Sequence, residues 1–597
     1  MWKRSTPFAK LLFLAFVGCI AYGGFWLLRD SGYIMKPAAS KSIDVGDVTL
    51  PTSVTSNNGT IIPSKVTLPG SENSTLNVPI FRWDIWAWNS QMGLLYANGG
   101  ADTKKGSLME LHGVRLNIER QDNSNVMQQE LIKFAKAYKD NKNTTEGKQF
   151  VAIMGDGSAP FLAALNAELV KIGPDYTAQV IGSCGKSLGE DKLMAPADWK
   201  ANPQAAKGSL IAGVLKDGDW NIAMKWAGDN DIKVNPDPKT YDPDAVNWVN
   251  ADDYIDAAQK YITGYSEERP VVKAGKLTGT KQKVSVNSVV TWTPGDVQVA
   301  EAKGGIVSIV STKEYRNQMP NVIIGIKQHM QDNRKEVDAM LAAIFDGGDQ
   351  VKSYPDALAK AGQISAEVYK EKDGAYWATY YTGVTKADKT GAQVELGGSR
   401  VHNLADNQEL FGLTDGSTNI YGAVYKLFGD LVVRVYPKDV PSYPALADIL
   451  DTSYLKEAAA LTTVKTKADL PTFNAEDNIR QKVSQRNWAV QFQTGSAQFS
   501  PAATAVLDDM FAQFLVAGNL KIQIHGYTDN VGNEAFNQQL SLARANAIKS
   551  YLEEKSSHNF SAGRVTVFAH GSADPIASNA TEAGRARNRR VSIILGE

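Results

Sequence analysis

One stretch near the start of the chain rules out a single soluble globule. After Lys3, Arg4 and Lys10, residues 11–28 (LLFLAFVGCIAYGGFWLL) carry no charge, and Arg29 and Asp30 close the run. Eighteen residues at about 1.5 Å rise span roughly 27 Å, close to the thickness of a bilayer core. Basic residues ahead of the run favour a cytoplasmic N-terminus and an exported body, with Tyr22 and Trp26 available as interfacial aromatics. A secretory signal peptide has a similar layout, but no small-x-small cleavage site comes after the run. Phe16-Val17-Gly18-Cys19 is a degraded lipoprotein processing box, and the apolar run continues for nine residues beyond Cys19. We read residues 1–30 as an uncleaved single-pass anchor in the inner membrane that holds the bulk of the chain in the periplasm. A lipoprotein at Cys19 and a cleaved signal are the alternatives.

The remainder of the chain is too long for one core, since 597 residues exceed what single domains usually hold. Residues 31–78 are rich in Ser, Thr, Asn, Pro and Gly, with too few apolar groups to offset ordering, and read as a flexible tether. Such a segment spans roughly 40 Å as a coil and up to about 160 Å when extended. A globular body is expected over 79–455, a polar connector over 456–486, and a last domain over 487–597. The balance of 63 basic against 64 acidic residues supplies no field for nucleic acid, which we exclude as a partner. Of two cysteines, Cys19 lies in the apolar run, so Cys184 has no intramolecular disulfide partner and reads as a small buried hydrophobe rather than a nucleophile. Six scattered histidines form no metal-spaced cluster, and neither HExxH nor GxSxG occurs. We expect no cofactor, no metal and no catalysis.

In the body, apolar runs at 150–154, 178–181, 305–310 and 322–326 alternate with helical stretches, the clearest being Val337-Met340-Leu341-Ile344-Phe345. Alternation of this kind predicts an α/β body with largely parallel sheet, split into two lobes at this length. Residues 154–160 (MGDGSAP) lie between a strand and a helix, where Gly157 and Ser158 offer backbone N–H groups to an anion at a helix start. Residues 182–187 (GSCGKS) read as a second such loop, with Ser183, Lys186 and Ser187. Its GKS is no P-loop, because Val180 stands where the leading glycine belongs. Asp219 and Trp292 are further cleft candidates, the indole offering an apolar wall and an N–H donor. Singly, each reads more readily as a turn or a packed aromatic.

The last domain reads β-α-β-α-β with a closing strand: strand 488–492, helix 501–516, strand 520–525, the loop Thr528-Asp529-Asn530-Val531-Gly532, helix 534–554, strand 564–569 and strand 590–595. Along the second helix, Phe536, Leu540, Ala543, Ala547 and Tyr551 recur at helical period and read as the core stripe. Asn537, Ser541 and Arg544 form a neighbouring polar stripe, and the run GRARNRR adds Arg585, Arg589 and Arg590 near the same end.

The strings FQTGSAQFSPAATAVL, IHGYTDNVGNEAFNQQLSLARANAIKSYL and GSADPIASNATEAGRARNRRVSI resemble the OmpA C-terminal family, which includes the Pal and MotB periplasmic domains. Tyr527 departs from the His common there. The resemblance implies binding of peptidoglycan through the zwitterionic end of the diaminopimelate stem peptide. Asp529 would hold the ammonium and Arg544 the carboxylate, with Thr528, Asn537 and Arg590 beside them. A forked guanidinium and a carboxylate at fixed separation suit that ligand, although such a pair can also be a structural salt bridge in a domain that binds nothing. MotB relatives carry an acidic residue inside their membrane helix, and residues 11–28 hold none, which argues against a stator-like ion channel.

Residues 287–345 resemble the second lobe and crossover of type II periplasmic solute-binding proteins of the nitrate, sulfonate, taurine or phosphate kind. That resemblance implies two α/β lobes closing over a small solute, often an anion. The expectation is a membrane-anchored, peptidoglycan-binding envelope protein whose body senses or captures a small anionic solute. The competing reading is a wall-anchored protein-interaction scaffold with a degenerate cleft.

Overall fold

The computed structural model describes residues 66–462, 466–493 and 495–597, with the hairpin strands Ser53–Thr55 and Ile61–Pro63. The expected membrane anchor at 11–28 and most of the tether lie outside the described residues. Among the described residues no helix is long and apolar enough to cross a membrane.

The tether ends earlier than its composition predicts. Residues 66–78 lie on the body: Val66 is buried, the Thr67 backbone N–H donates to Gln350 Oε1 at 2.9 Å, and Ser74 N–H donates to the Thr103 carbonyl at 2.8 Å. Polar residues of this kind can be ordered by side chains reaching out from a neighbouring helix, which composition alone does not reveal.

Two sheets make the two lobes. The first has six strands in the order Ser399–Val401, Ala178–Ser187, Pro320–Ile326, Phe150–Met154, Ile80–Ile85, Arg115–Arg120. The second has five, Val307–Ser311, Lys192–Ala195, Ser288–Thr291, Leu210–Gly213, Asn247–Asn250. Each sheet is mixed rather than largely parallel. Pro320–Ile326 runs antiparallel between Phe150–Met154 and Ala178–Ser187, and Lys192–Ala195 runs antiparallel to both its neighbours. These reversals occur where the chain crosses between lobes, at 188–191 and 312–319, so a strand entering from the other lobe runs against the local βαβ direction. The helix Arg334–Ser353 lies buried along the first lobe. Gly347 is needed there, since a Cβ would come 2.5 Å from the Gly93 carbonyl oxygen of helix Met92–Asn98.

The last domain carries a four-stranded sheet ordered Lys482–Trp488, Val591–Gly596, Lys521–Gly526, Val565–Ala569. Lys521–Gly526 and Val565–Ala569 are parallel, which requires a long crossover, and helix Glu534–Lys555 supplies it. The structure adds a short helix, Glu582–Asn588, to the expected elements. The first strand lies at 482–488 rather than 488–492.

The connector is not a free linker. Asp469 receives Arg316 at 3.1 Å, and its N–H donates to Asp406 at 3.0 Å. The last domain itself rests on the body. Asn317 Nδ2 donates to the Leu515 carbonyl at 2.9 Å, Lys225 Nζ to Gln513 Oε1 at 2.8 Å, and His558 Nδ1 lies 3.1 Å from Glu409.

Candidate functional site

In the last domain, Asn533 caps helix Glu534–Lys555 by accepting from the Phe536 N–H at 2.8 Å, and Gly532 adopts φ 97°, a turn that brings the loop back over the helix start. The helix then turns an unexpected face inward. Asn537, Ser541, Arg544, Ala545, Ile548 and Leu552 are buried, whereas Phe536 and Ala543 of the expected core stripe are exposed. The cause is the neighbour: the first turns pack on backbone rather than on side chains. Ser541 Oγ accepts from the Gly571 N–H at 3.0 Å, and a Cβ on Gly526 would meet the Ser541 carbonyl oxygen at 2.3 Å.

This inward polar face places Arg544 beside the loop. Its Nε donates to the Ser496 carbonyl at 3.1 Å and its guanidinium lies 5.0 Å from the Phe492 ring. Among the described residues, no acceptor holds its two terminal nitrogens. Burial, then the charge of Arg589, push its pKa below the usual guanidinium range, and Asp529 opposes them. Asp529, itself 8% exposed, accepts from the Val531 N–H at 3.0 Å and from Arg589 at 2.6 Å. Thr528 Oγ1 donates to the Asp529 carbonyl at 2.9 Å, and Asn537 Nδ2 to the same oxygen at 3.4 Å, so both shape the loop backbone.

Arg590 does something different from what its position suggests. It stacks 3.7 Å over the Tyr527 ring and donates to the Asp574 carbonyl at 2.9 Å, while its neighbour Arg589 takes the carboxylate. By sequence Arg589 counts only as added charge; in the structure it is Arg589, just past helix Glu582–Asn588, and not Arg590 that faces the loop acid. The site presents a carboxylate and, separately tethered, a guanidinium whose terminal nitrogens have no acceptor among the described residues.

The two expected anion loops of the body do not form one site. Residues 182–187 lie within the strand Ala178–Ser187, not in a loop. Gly185 is there because a Cβ would meet the carbonyl oxygens of Ser90 and Arg400 at 2.1 and 2.4 Å. Ser183 Oγ donates to the Gly185 carbonyl at 2.9 Å and lies 3.0 Å from His402 Nδ1, while Ser187 Oγ lies 2.6 Å from Thr312 Oγ1. Lys186 lines a separate small cavity with Arg316, Asp406 and Asp469, where burial and Arg316 lower its pKa to about 7. Gly157 does precede helix Ser158–Leu169, but Ser158 Oγ donates to the Gly155 carbonyl and lies 3.0 Å from Tyr421 OH. A Cβ on Gly157 would sit 3.5 Å from Asp217 Oδ1, so a carboxyl group of the chain itself stands at that helix start.

The seam between the lobes is acidic. Gln318 Nε2 donates to Asp156 Oδ2 at 2.9 Å, Asp191 and Asp219 lie close enough to share a proton, and Asn89 Nδ2 donates to Glu190 at 3.3 Å. Burial raises Asp156 to about 8, Asp191 to about 7 and Asp217 to about 6, and lifts Glu190 and Asp219 well above the carboxylate range. Lys192 is paired with Asp296 at 2.5 Å. Trp292 stacks between Tyr254 at 3.9 Å and Trp86 at 5.9 Å, and its Nε1 is buried without a partner. Asp219 is buried in helix Gly218–Asp229, and Trp292 is buried just after strand Ser288–Thr291. Sequence reasoning misses Asp156, Glu190, Asp191 and Gln318: Asp156 sits inside the very loop chosen for its glycines, and Glu190-Asp191-Lys192 is a charged step between two apolar strands.

Residues 491–589 match the model of the OmpA family. The peptidoglycan-associated lipoprotein of Buchnera aphidicola is 33% identical over 166 residues, 27% of this chain and 90% of that protein. The chain belongs to the OmpA family. The membership resides in the last domain, and the peptidoglycan-binding protein ArfA of Mycobacterium tuberculosis is 35% identical over 106 residues, 18% of this chain. That match spans 32% of ArfA's own length. Outside the OmpA-family domain, the periplasmic nitrate-binding protein NrtA from Synechocystis PCC 6803 overlays 65% of this chain and 90% of its own at a TM-score of 0.44 and 11% identity.

Proposed function

We propose that this chain is a cell-envelope protein that binds peptidoglycan through Asp529 and Arg544 and captures a small solute between the lobes of its body. The observation that carries the first half is the guanidinium of Arg544, buried beside Asp529 and lacking an acceptor for its terminal nitrogens among the described residues. A zwitterionic diaminopimelate end supplies what the pocket lacks: a carboxylate for the Arg544 fork and an ammonium for Asp529. Thr528 and Asn537 hold the loop, and Arg590 with Tyr527 forms its edge. Relatives named for peptidoglycan support the reading. Residues 11–28 would anchor the chain in the inner membrane as a single pass, with lipidation at Cys19 as the alternative, and no catalytic role is assigned.

The full chain is expected to sediment with purified diaminopimelate-type peptidoglycan, and Asp529→Ala to remain in the supernatant. Equal sedimentation of both proteins would contradict the reading.

One observation favours a scaffold instead of a solute trap. The OmpA-family domain contacts both lobes, through Lys225–Gln513 in the second and Glu409–His558 in the first, which ties them together.

A further inference from the structure

At the seam between the lobes, buried acceptors without a partner outnumber the unpartnered Trp292 N–H among the described residues. Three of the seam's neutral amides donate to neighbouring groups. Gln318 donates to Asp156 at 2.9 Å, Asn321 to Ser90 at 2.9 Å and Asn89 to Glu190 at 3.3 Å. The carbonyl oxygens of all three side chains are fully buried and unpartnered. Independently, among the described residues Asp156 leaves one carboxyl oxygen without an N–H donor, and Asp191 and Asp219, which lie close enough to share a proton, receive no N–H donor at three further oxygens.

Among the described residues, no cation is placed to answer them. Lys192 is committed to Asp296 at 2.5 Å, and Arg120 to Asp122 and Glu371. Buried carboxyl groups and amide oxygens without donors are costly, and a partner that brings several N–H groups and a positive charge removes that cost.

Resting on the reading that a solute is held between the lobes, we propose that this solute is a small organic cation bearing a primary ammonium or guanidinium group. An ammonium offers three donors and a guanidinium five, which matches a seam of unfilled acceptors. The residues expected to favour an anion do not converge here: Ser158, Ser183 and Ser187 are bonded within the protein, and Lys186 lines another cavity.

The test is a thermal-shift and calorimetric panel on the full chain at neutral pH. Putrescine, agmatine and L-arginine form one arm, tetramethylammonium, a cation without N–H donors, the second, and nitrate, phosphate and taurine the third. The expected result is a raised Tm with at least one of the amine or guanidine probes, little or none with tetramethylammonium, and none with the anions. Asp191→Asn should weaken the responding probe at least tenfold while leaving sedimentation with peptidoglycan unchanged. Binding of an anion with no response to amines overturns the cation assignment and leaves solute capture standing. Silence in all three arms removes solute capture and this inference together, and the comparison among probes needs no variant to fold.

Discussion

Arg589 Nη1 donates to Asp529 Oδ2 at 2.6 Å, whereas Arg544, on the opposing helix, makes no ion pair with that carboxylate. The loop acid is therefore held by one arginine, while a second has no acceptor for its terminal nitrogens among the described residues. Arg589 is itself shared with Glu582 at 2.6 Å and is a third exposed, so its pairing is a surface interaction worth about 1 kcal/mol or less. Arg589→Gln is expected to lower stability by no more than that in urea unfolding, with the sheet intact by circular dichroism.

Arg564 is the opposite case. It is 1% exposed, has no carboxylate partner among the described residues, and donates to the carbonyl oxygens of Leu520, Phe514, Ala517 and Asn559. Burial lowers its pKa to about 9. It closes the ends of helix Thr504–Val516 and strand Lys521–Gly526, so Arg564→Ala strands several carbonyls. A loss of roughly 3–5 kcal/mol is expected, as read by denaturant titration.

The acidic seam makes stability depend on pH in a predictable direction. Asp156, raised to about 8, keeps its proton in the folded state while the unfolded chain releases it near pH 4, so the folded state binds more protons between those values and stability falls as pH rises. Asp191, Asp217, Asp219 and Glu190 face it and act in the same sense. His329 and His402, both lowered to about 3, act oppositely below about pH 6.5, and Lys186, lowered to about 7, acts oppositely above that value. The carboxyl contribution is isolated by difference: Asp156→Asn should gain about 2 kcal/mol relative to wild type between pH 6.5 and 8. A difference that stays flat over that window would contradict the assignment.

Much of the last domain is legible in the sequence because its motifs fix the loop and the helix together. The body is less so, for reasons visible in single residues. Gly182 and Gly185 look like a flexible loop, yet Gly185 serves close backbone approach inside a strand, a demand set by Ser90 and Arg400 far away in sequence. Phe536 promises a core face at helical period, but the helix meets backbone at Gly526 and Gly571, so polar Asn537 and Ser541 turn inward. Residues 482–488 (KVSQRNW) resemble connector because few are apolar, although pairing with Val591–Gly596 makes them a strand. The acids of the seam come from three separate segments, at 156, 190–191 and 217–219, and no local pattern announces them.

Cys184 is fully buried in the strand Ala178–Ser187, and burial pushes its thiol well above the usual range. In a Cys19→Ser background, a disulfide-exchange thiol reagent should leave the native protein unlabelled and label one thiol after denaturation. Labelling of the native protein at a rate comparable to a free thiol would contradict this placement.

The central claim is that Asp529 and Arg544 together hold the zwitterionic end of a wall peptide. Calorimetric titration of the full chain with a diaminopimelate-containing stem peptide tests it most directly, beside Asp529→Ala and Arg544→Ala. The account predicts one site per chain in wild type and loss of binding in both variants, with each variant still folded. Unchanged affinity in either folded variant, or no binding by the wild-type protein, would contradict it.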